Sequence, residues 1–233
     1  MPAQSTINNH NSALNRVLDL AELNGWIVKS LRPTLLNKGT KTQSRGSFSV
    51  EEYRVIYSAL RSSHKQTPNE KSAATRETLR NYVLFLANTG VRHGTEALGL
   101  RWRNIEWYER DGERYLAVNV DGKTNKRTAI ARDSVENSLW RQAQLNPRIQ
   151  AVDFDGLIAA KLNEPVFTTR LSETVTVHNL NRAFNALLAE LNLKTGADGR
   201  TRTLYSFRHF YATLNLVDWL GQKSPIWDSH CTQ

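Results

Sequence analysis

The sequence predicts a mainly α fold carrying a small antiparallel β-sheet. Three observations lead there: apolar residues recur at helical spacing through most of the chain, the period shifts to two between Ile105 and Ile130, and helical spacing then returns as far as Leu216. With 233 residues and 39% apolar content, the chain is long enough to bury one sizeable core and carry an appendage.

The first apolar stripe, Ala13, Leu14, Val17, Leu18, Ala21 and Leu23, makes 8–24 a helix that stops at Gly25. One helix is not a domain, so this stripe needs a partner elsewhere. From Lys29 to Gly46 the basic residues Lys29, Arg32, Lys38, Lys41 and Arg45 occur with no acidic one, among Pro33, Gly39, serines and threonines. That is the composition of a cationic linker. A domain opens at Phe48. Ser49 and Glu52 have capping-box spacing and Phe48 and Tyr53 the spacing of a hydrophobic staple, which predicts a helix over 50–61.

A second helix, 76–88, turns Leu79, Tyr82, Val83, Phe85 and Leu86 inward and ends at Gly90, a left-handed cap. A short helix over 93–100 buries Ala97, Leu98 and Leu100. Residues 115–120 and 127–130 read as strands flanking Asp121-Gly122-Lys123-Thr124-Asn125, a hairpin with Lys123 at its tip. Helices resume at 135–145, at 177–191 through Leu180, Phe184, Leu187, Leu188 and Leu191, and at 204–216 with Leu204, Phe207, Tyr211 and Leu214 as the apolar face.

Composition narrows the partner. Lysine and arginine outnumber aspartate and glutamate by 31 to 22, giving a net charge of +9 that favours a polyanion through steering and counterion release. No apolar run approaches the roughly eighteen residues that span a bilayer, and the chain opens on polar residues rather than a signal peptide, so no membrane role and a cytoplasmic location are expected. Cys231 is the sole cysteine and the six histidines lack HExxH spacing, which argues against a disulfide framework, a cysteine zinc site and a metal hydrolase. Asp153 and Asp155 are the nearest approach to a carboxylate pair and read as a solvated turn. Gly122-Lys123-Thr124 is not a nucleotide loop, because Ala117 stands where such a loop needs its first glycine and the triplet lies in a hairpin.

The chemistry concentrates in two arginine segments. Thr89-Gly90-Val91-Arg92 runs on through Glu96-Ala97-Leu98 to Leu100-Arg101-Trp102, and Tyr205-Ser206-Phe207-Arg208-His209-Phe210-Tyr211-Ala212-Thr213 answers it near the other end. A guanidinium is a planar fork of donors that matches phosphate oxygens and keeps its charge at any working pH. Arg92 and Arg208 therefore suit a clamp on a phosphodiester, with Glu96 one turn on from Arg92 to orient it. Tyr205 shares the Arg208 face and either donates to phosphate or packs; His209 is either catalytic or a satisfied helix-face group. Lys29, Arg32, Lys38, Lys41 and Arg45, with Lys126 and Arg127 on the hairpin, are the candidate contacts to such a polyanion.

Thr-Gly-Val-Arg with its Glu-Ala-Leu and Leu-Arg-Trp continuation, Gly-Lys-Thr in a hairpin, and Ser-Phe-Arg-His-Phe-Tyr-Ala-Thr together resemble the tyrosine recombinases, specifically phage-type integrases, over about 8–217. The resemblance implies a C-shaped clamp of a helical core-binding domain and a catalytic domain around double-stranded DNA at attachment sites, with other protomers completing a tetramer. It divides the chain into a core-binding remnant at 1–30, a basic linker at 31–47, an incomplete catalytic domain at 48–217 and an atypical tail at 218–233. It makes Arg92 and Arg208 the ligands of the scissile phosphate and of its pentacoordinate transition state, and Lys123 the acid that protonates the departing 5′-oxygen. No metal or nucleotide cofactor is implied, since a phosphotyrosyl link conserves the bond energy.

Three positions depart from the family pattern. Tyr205 stands where histidine is usual, and a phenol titrating near ~10 is a poor general base at neutrality. Asn104 replaces an aspartate, and Glu96 lies one residue further from Arg92. The larger departure is the nucleophile: the last tyrosine is Tyr211, too early for the attacking hydroxyl and expected in the core of its helix. From Asp218 the helical period is lost, and a frameshift or truncation there is the expectation, with Trp227 and His230 near the spacing of a third phosphate ligand. The implied function is that of an integrase lacking its tyrosine, which binds DNA without cleaving it. The alternatives are a DNA-binding module that interferes with full-length integrase and a topoisomerase-like strand-transfer enzyme.

Overall fold

Gln4–Leu23 forms helix α1 in the computed structural model, which describes residues 2–40, 46–63, 65, 67, 69–122, 125–169 and 173–219. The chain divides into two units, Met1–Ser44 and Arg45–Gln233. α1 buries none of its residues, and Leu14, Val17, Leu20 and Leu23 stand exposed along it. The segment expected as a linker follows α1 back toward its start. Asn11 Nδ2 donates to the Leu36 carbonyl at 3.0 Å, the Gly39 N–H to Gln4 Oε1 at 2.8 Å, and the Gln4 N–H to the Thr40 carbonyl at 2.9 Å.

The second unit begins with the anticipated capping box: the Ser49 N–H donates to Glu52 Oε2 at 2.8 Å and the Glu52 N–H to Ser49 Oγ at 3.2 Å, opening α2, Val50–Ser63. Helix α3, Glu70–Thr89, starts six residues earlier than the apolar period suggests, because Asn69 caps it by accepting from the Ser72 N–H at 3.1 Å. From Asn81 to Thr89 every residue is buried, so α3 is the central helix, packed by α2 and by three helices further along, α5 (Ser134–Gln144), α7 (Glu173–Glu190) and α8 (Ser206–Trp219). Gly90 closes it in the left-handed conformation at φ 61°. Helix α4 is a single turn, Thr95–Leu98, rather than the eight residues expected, and Ala97, Leu98 and Leu100 are buried as anticipated.

The sheet has three antiparallel strands in sequential order, β1 (Ile105–Arg110), β2 (Glu113–Asp121) and β3 (Lys126–Ile130), with Ile105 opposite Val118 and Ala117 opposite Ile130. β1 is an addition to the sequence reading. Its signal was present in Asp111-Gly112, both at positive φ (55° and 81°), the two-residue turn that matches strand twist. The expected solvated turn at Asp153 and Asp155 is instead the start of α6, Phe154–Ala159. Asp153 caps it by accepting from the Gly156 N–H at 2.7 Å, and Asp155 accepts from Trp107 Nε1 at 2.8 Å and pairs with Arg114. In α8 the buried stripe is Phe207, Phe210 and Leu214. Tyr211 is only half-buried, not in the core, because its ring lies over the side-chain-free flank of Gly90. Phe207 is the hub that joins the ends of this unit, with Phe48, Phe184 and Tyr53 ring centroids at 4.9, 5.6 and 6.3 Å. Among the described residues, no helix is long and apolar enough to cross a membrane.

Candidate nucleic-acid interface

Glu96 organises the region where the two arginine segments meet. Gly90 and Gly94, at φ 61° and 99°, fold residues 90–94 into a turn that no run of L side chains adopts easily, and the turn aims the Arg92 backbone N–H at Glu96. The Glu96 side chain is 1% exposed. Its Oε2 accepts from the Arg92 N–H at 2.9 Å and from Arg127 Nη2 at 2.8 Å, while Oε1 accepts Arg92 Nη1 at 2.6 Å. Burial works to raise the Glu96 carboxyl, but the Arg92 N–H and the two guanidinium groups outweigh it and hold the group below the usual carboxylate range.

Arg92 keeps 42% of its side chain exposed. Its hydrogen bond and charge contact with Glu96 push its pKa further up, and Tyr205 hydrogen-bonds the same guanidinium. Arg208 donates from Nη1 to the Gly90 carbonyl at 2.7 Å. Burial, then the charges of Arg92 and Arg127, lower its pKa from the ordinary arginine value. The start of α8 that presents Tyr205 and Arg208 is fixed by the Thr203 N–H donating to Ser206 Oγ at 3.1 Å. The Tyr205 and His209 rings meet edge to face at 5.9 Å, and His209 is exposed.

Arg92, Glu96, Tyr205 and Arg208 are thus brought to one region, with His209 at its margin. Lys123 lies outside the described residues, as do Lys41, Arg45, Trp227, His230 and Cys231. Gly122, next to Lys123, borders the site: a Cβ there would lie 3.4 Å from Glu96 Oε1 and 3.7 Å from Arg92 Nη1. Lys126 is open to solvent with its side chain 90% exposed, and Lys29 and Lys38 are exposed in the first unit. Arg32 is occupied within that unit by Asp19 at 2.7 Å, Glu22 at 3.1 Å and Asn15 Oδ1 at 3.0 Å. The sequence reading placed Arg127 among outward DNA contacts and missed its bond to Glu96. The period-two pattern carried the signal, since Arg127 shares a strand face with buried Ala129.

No protein-family model matches the chain, and no curated protein matches it. Among solved structures, it superposes on the Tn1549 transposon integrase in complex with a circular intermediate DNA, with TM-score 0.58 at 15% identity, over 94% of this chain and 68% of that one. The fold is that of the tyrosine recombinases. A second match is the XerH site-specific recombinase bound to its difH substrate, at TM-score 0.46 and 17% identity, over 82% of this chain and 48% of that chain. In this recombinase fold the sheet hairpin, the turn after α3 and the first turn of α8 supply the residues around Glu96.

Proposed function

We propose that the second unit is a recombinase catalytic domain that grips one phosphodiester of duplex DNA between Arg92 and Arg208. The observation that carries this reading is that Arg92 and Arg127 share one buried carboxylate while Arg208 is bonded to the Gly90 carbonyl of the same turn, which leaves surplus positive charge beside the exposed face of Arg92. Two forks of donors neutralise the non-bridging oxygens, and their attraction grows as charge builds on phosphorus in a pentacoordinate transition state. Tyr205, bonded to Arg92, donates its hydroxyl proton to the same phosphate where a recombinase usually has histidine, and Lys123 protonates the departing 5′-oxygen. The parent reaction is site-specific strand exchange among protomers at an attachment site, with 1–30 as part of a core-binding domain and 48–217 as the catalytic domain.

Tyr211 is the last of the tyrosines in these 233 residues. The Tyr211 ring lies against Gly90 and its hydroxyl is 3.5 Å from the Ile130 carbonyl, so it is engaged in packing rather than presented for attack. Duplex binding is the function proposed for these 233 residues, with Tyr211 not acting as a nucleophile. A nicked suicide duplex incubated with the purified chain tests it: retained binding with no covalent adduct is expected. A phosphotyrosyl adduct at any of the tyrosines refutes the cleavage claim, and absence of duplex binding refutes the whole reading.

A further inference from the structure

β3 presents two faces of different character. Lys126 and Thr128 are exposed, while Arg127 and Ala129 turn toward the protein. Arg127 has 34% of its side chain exposed, and its Nε is buried without an acceptor among the described residues. Its Nη2 reaches the Glu96 oxygen that also accepts the Arg92 backbone N–H, at 2.8 and 2.9 Å. Across the turn of the same hairpin, on the β2 side, a Cβ built on Gly122 would lie 3.4 Å from the other Glu96 oxygen. One carboxylate therefore meets the turn end of the β2–β3 hairpin from both strands, and both the backbone and the guanidinium of Arg92.

We infer that Arg127 is a positioning residue, which fixes Glu96 so that Glu96 holds Arg92 toward the phosphate without neutralising it. The inference rests on the phosphodiester reading of the site, and it removes Arg127 from the direct DNA contacts. The physical reason is charge sharing. With Arg127 in place, the single negative charge of Glu96 is divided between two cations and Arg92 keeps attraction for an incoming anion. Without Arg127, Glu96 pairs with Arg92 alone and draws it inward. Lysine is a poor substitute, since a point charge on a flexible stem does not hold a carboxylate as a planar fork does.

Duplex affinity of the full chain, measured at one salt concentration for Arg127→Ala, Arg127→Lys, Glu96→Gln and the Ala/Gln double variant, tests this. Each single change is expected to weaken binding on the order of tenfold. The double variant is expected to bind no more weakly than the poorer single variant, because both act along one path. A loss equal to the product of the two single losses overturns the inference, as does wild-type affinity in Arg127→Lys, because a plain phosphate contact tolerates lysine. A second measurement needs no DNA: the Arg92 side-chain 15N–1H signal in the free protein is expected to shift in Arg127→Lys. An unmoved signal overturns the positioning role even where duplex binding persists. A shifted signal in a protein that fails to bind duplex supports the positioning role and overturns only the phosphodiester reading.

Discussion

Arg208 donates to the carbonyl of Gly90 at 2.7 Å across 118 residues of sequence. Gly90 caps α3 and stands two residues before Arg92, so this one bond brings the second arginine segment to the turn that carries the first. Replacing either Arg92 or Arg208 with alanine is expected to weaken duplex binding and to lower the slope of log affinity against log salt by about one. Arg208→Ala also leaves the buried Gly90 carbonyl without this donor, so it should destabilise the fold by about 1–2 kcal/mol in urea unfolding, where Arg92→Ala costs less. Identical salt slopes in wild type and both variants would contradict the clamp.

Gly90 is constrained twice. Its φ is 61°, and a Cβ built there would lie 2.3 Å from Cδ1 of Tyr211. Gly90→Ala is expected to cost roughly 3 kcal/mol, part from left-handed strain and part from overpacking. In a Tyr211→Ala background the same change costs less, because only the backbone strain remains. Chemical denaturation of the four proteins checks this, and equal costs in the two backgrounds would exclude the packing component.

Glu96 links stability to pH. Its folded carboxyl is held below the ordinary range, so the unfolded chain binds this proton more tightly than the folded one. The stabilisation is therefore complete above the unfolded value near ~4.3 and is lost as pH falls through the lower folded value. The stability gap between wild type and Glu96→Gln should be widest near neutrality and narrow below about pH 4. Urea midpoints measured across that range test the sign; a gap that widens on acidification would contradict it.

Arg202 ties the start of α2 to the loop before α8. It is 6% exposed, pairs with Glu52 at 2.8 Å and donates from Nε to the Ser47 carbonyl at 3.0 Å. Arg202→Ala leaves the Ser47 carbonyl and part of the Glu52 carboxylate unpaired, for an expected loss of about 2–3 kcal/mol. Duplex affinity of the folded fraction should stay unchanged, since Arg202 takes no part in the Glu96 cluster.

The sequence by itself determined the local structure. Ser49 and Glu52 start α2, Gly90 ends α3, and alternation builds β2 and β3, because caps, left-handed residues and period two act over a few neighbouring positions. Asp111-Gly112 and Asp153 were equally local signals, for β1 and for α6. The candidate site was legible as residue types, Arg92, Glu96, Tyr205 and Arg208, but not as a set of contacts. Only the tertiary structure decided that Arg208 meets the Gly90 carbonyl, that Arg127 belongs to Glu96 and that Arg32 is occupied by Asp19 and Glu22. An arginine has the same local preferences whether it faces a phosphate, a carboxylate or water. Its partner is chosen by which distant segments the buried core, centred on α3 and Phe207, brings to the same place.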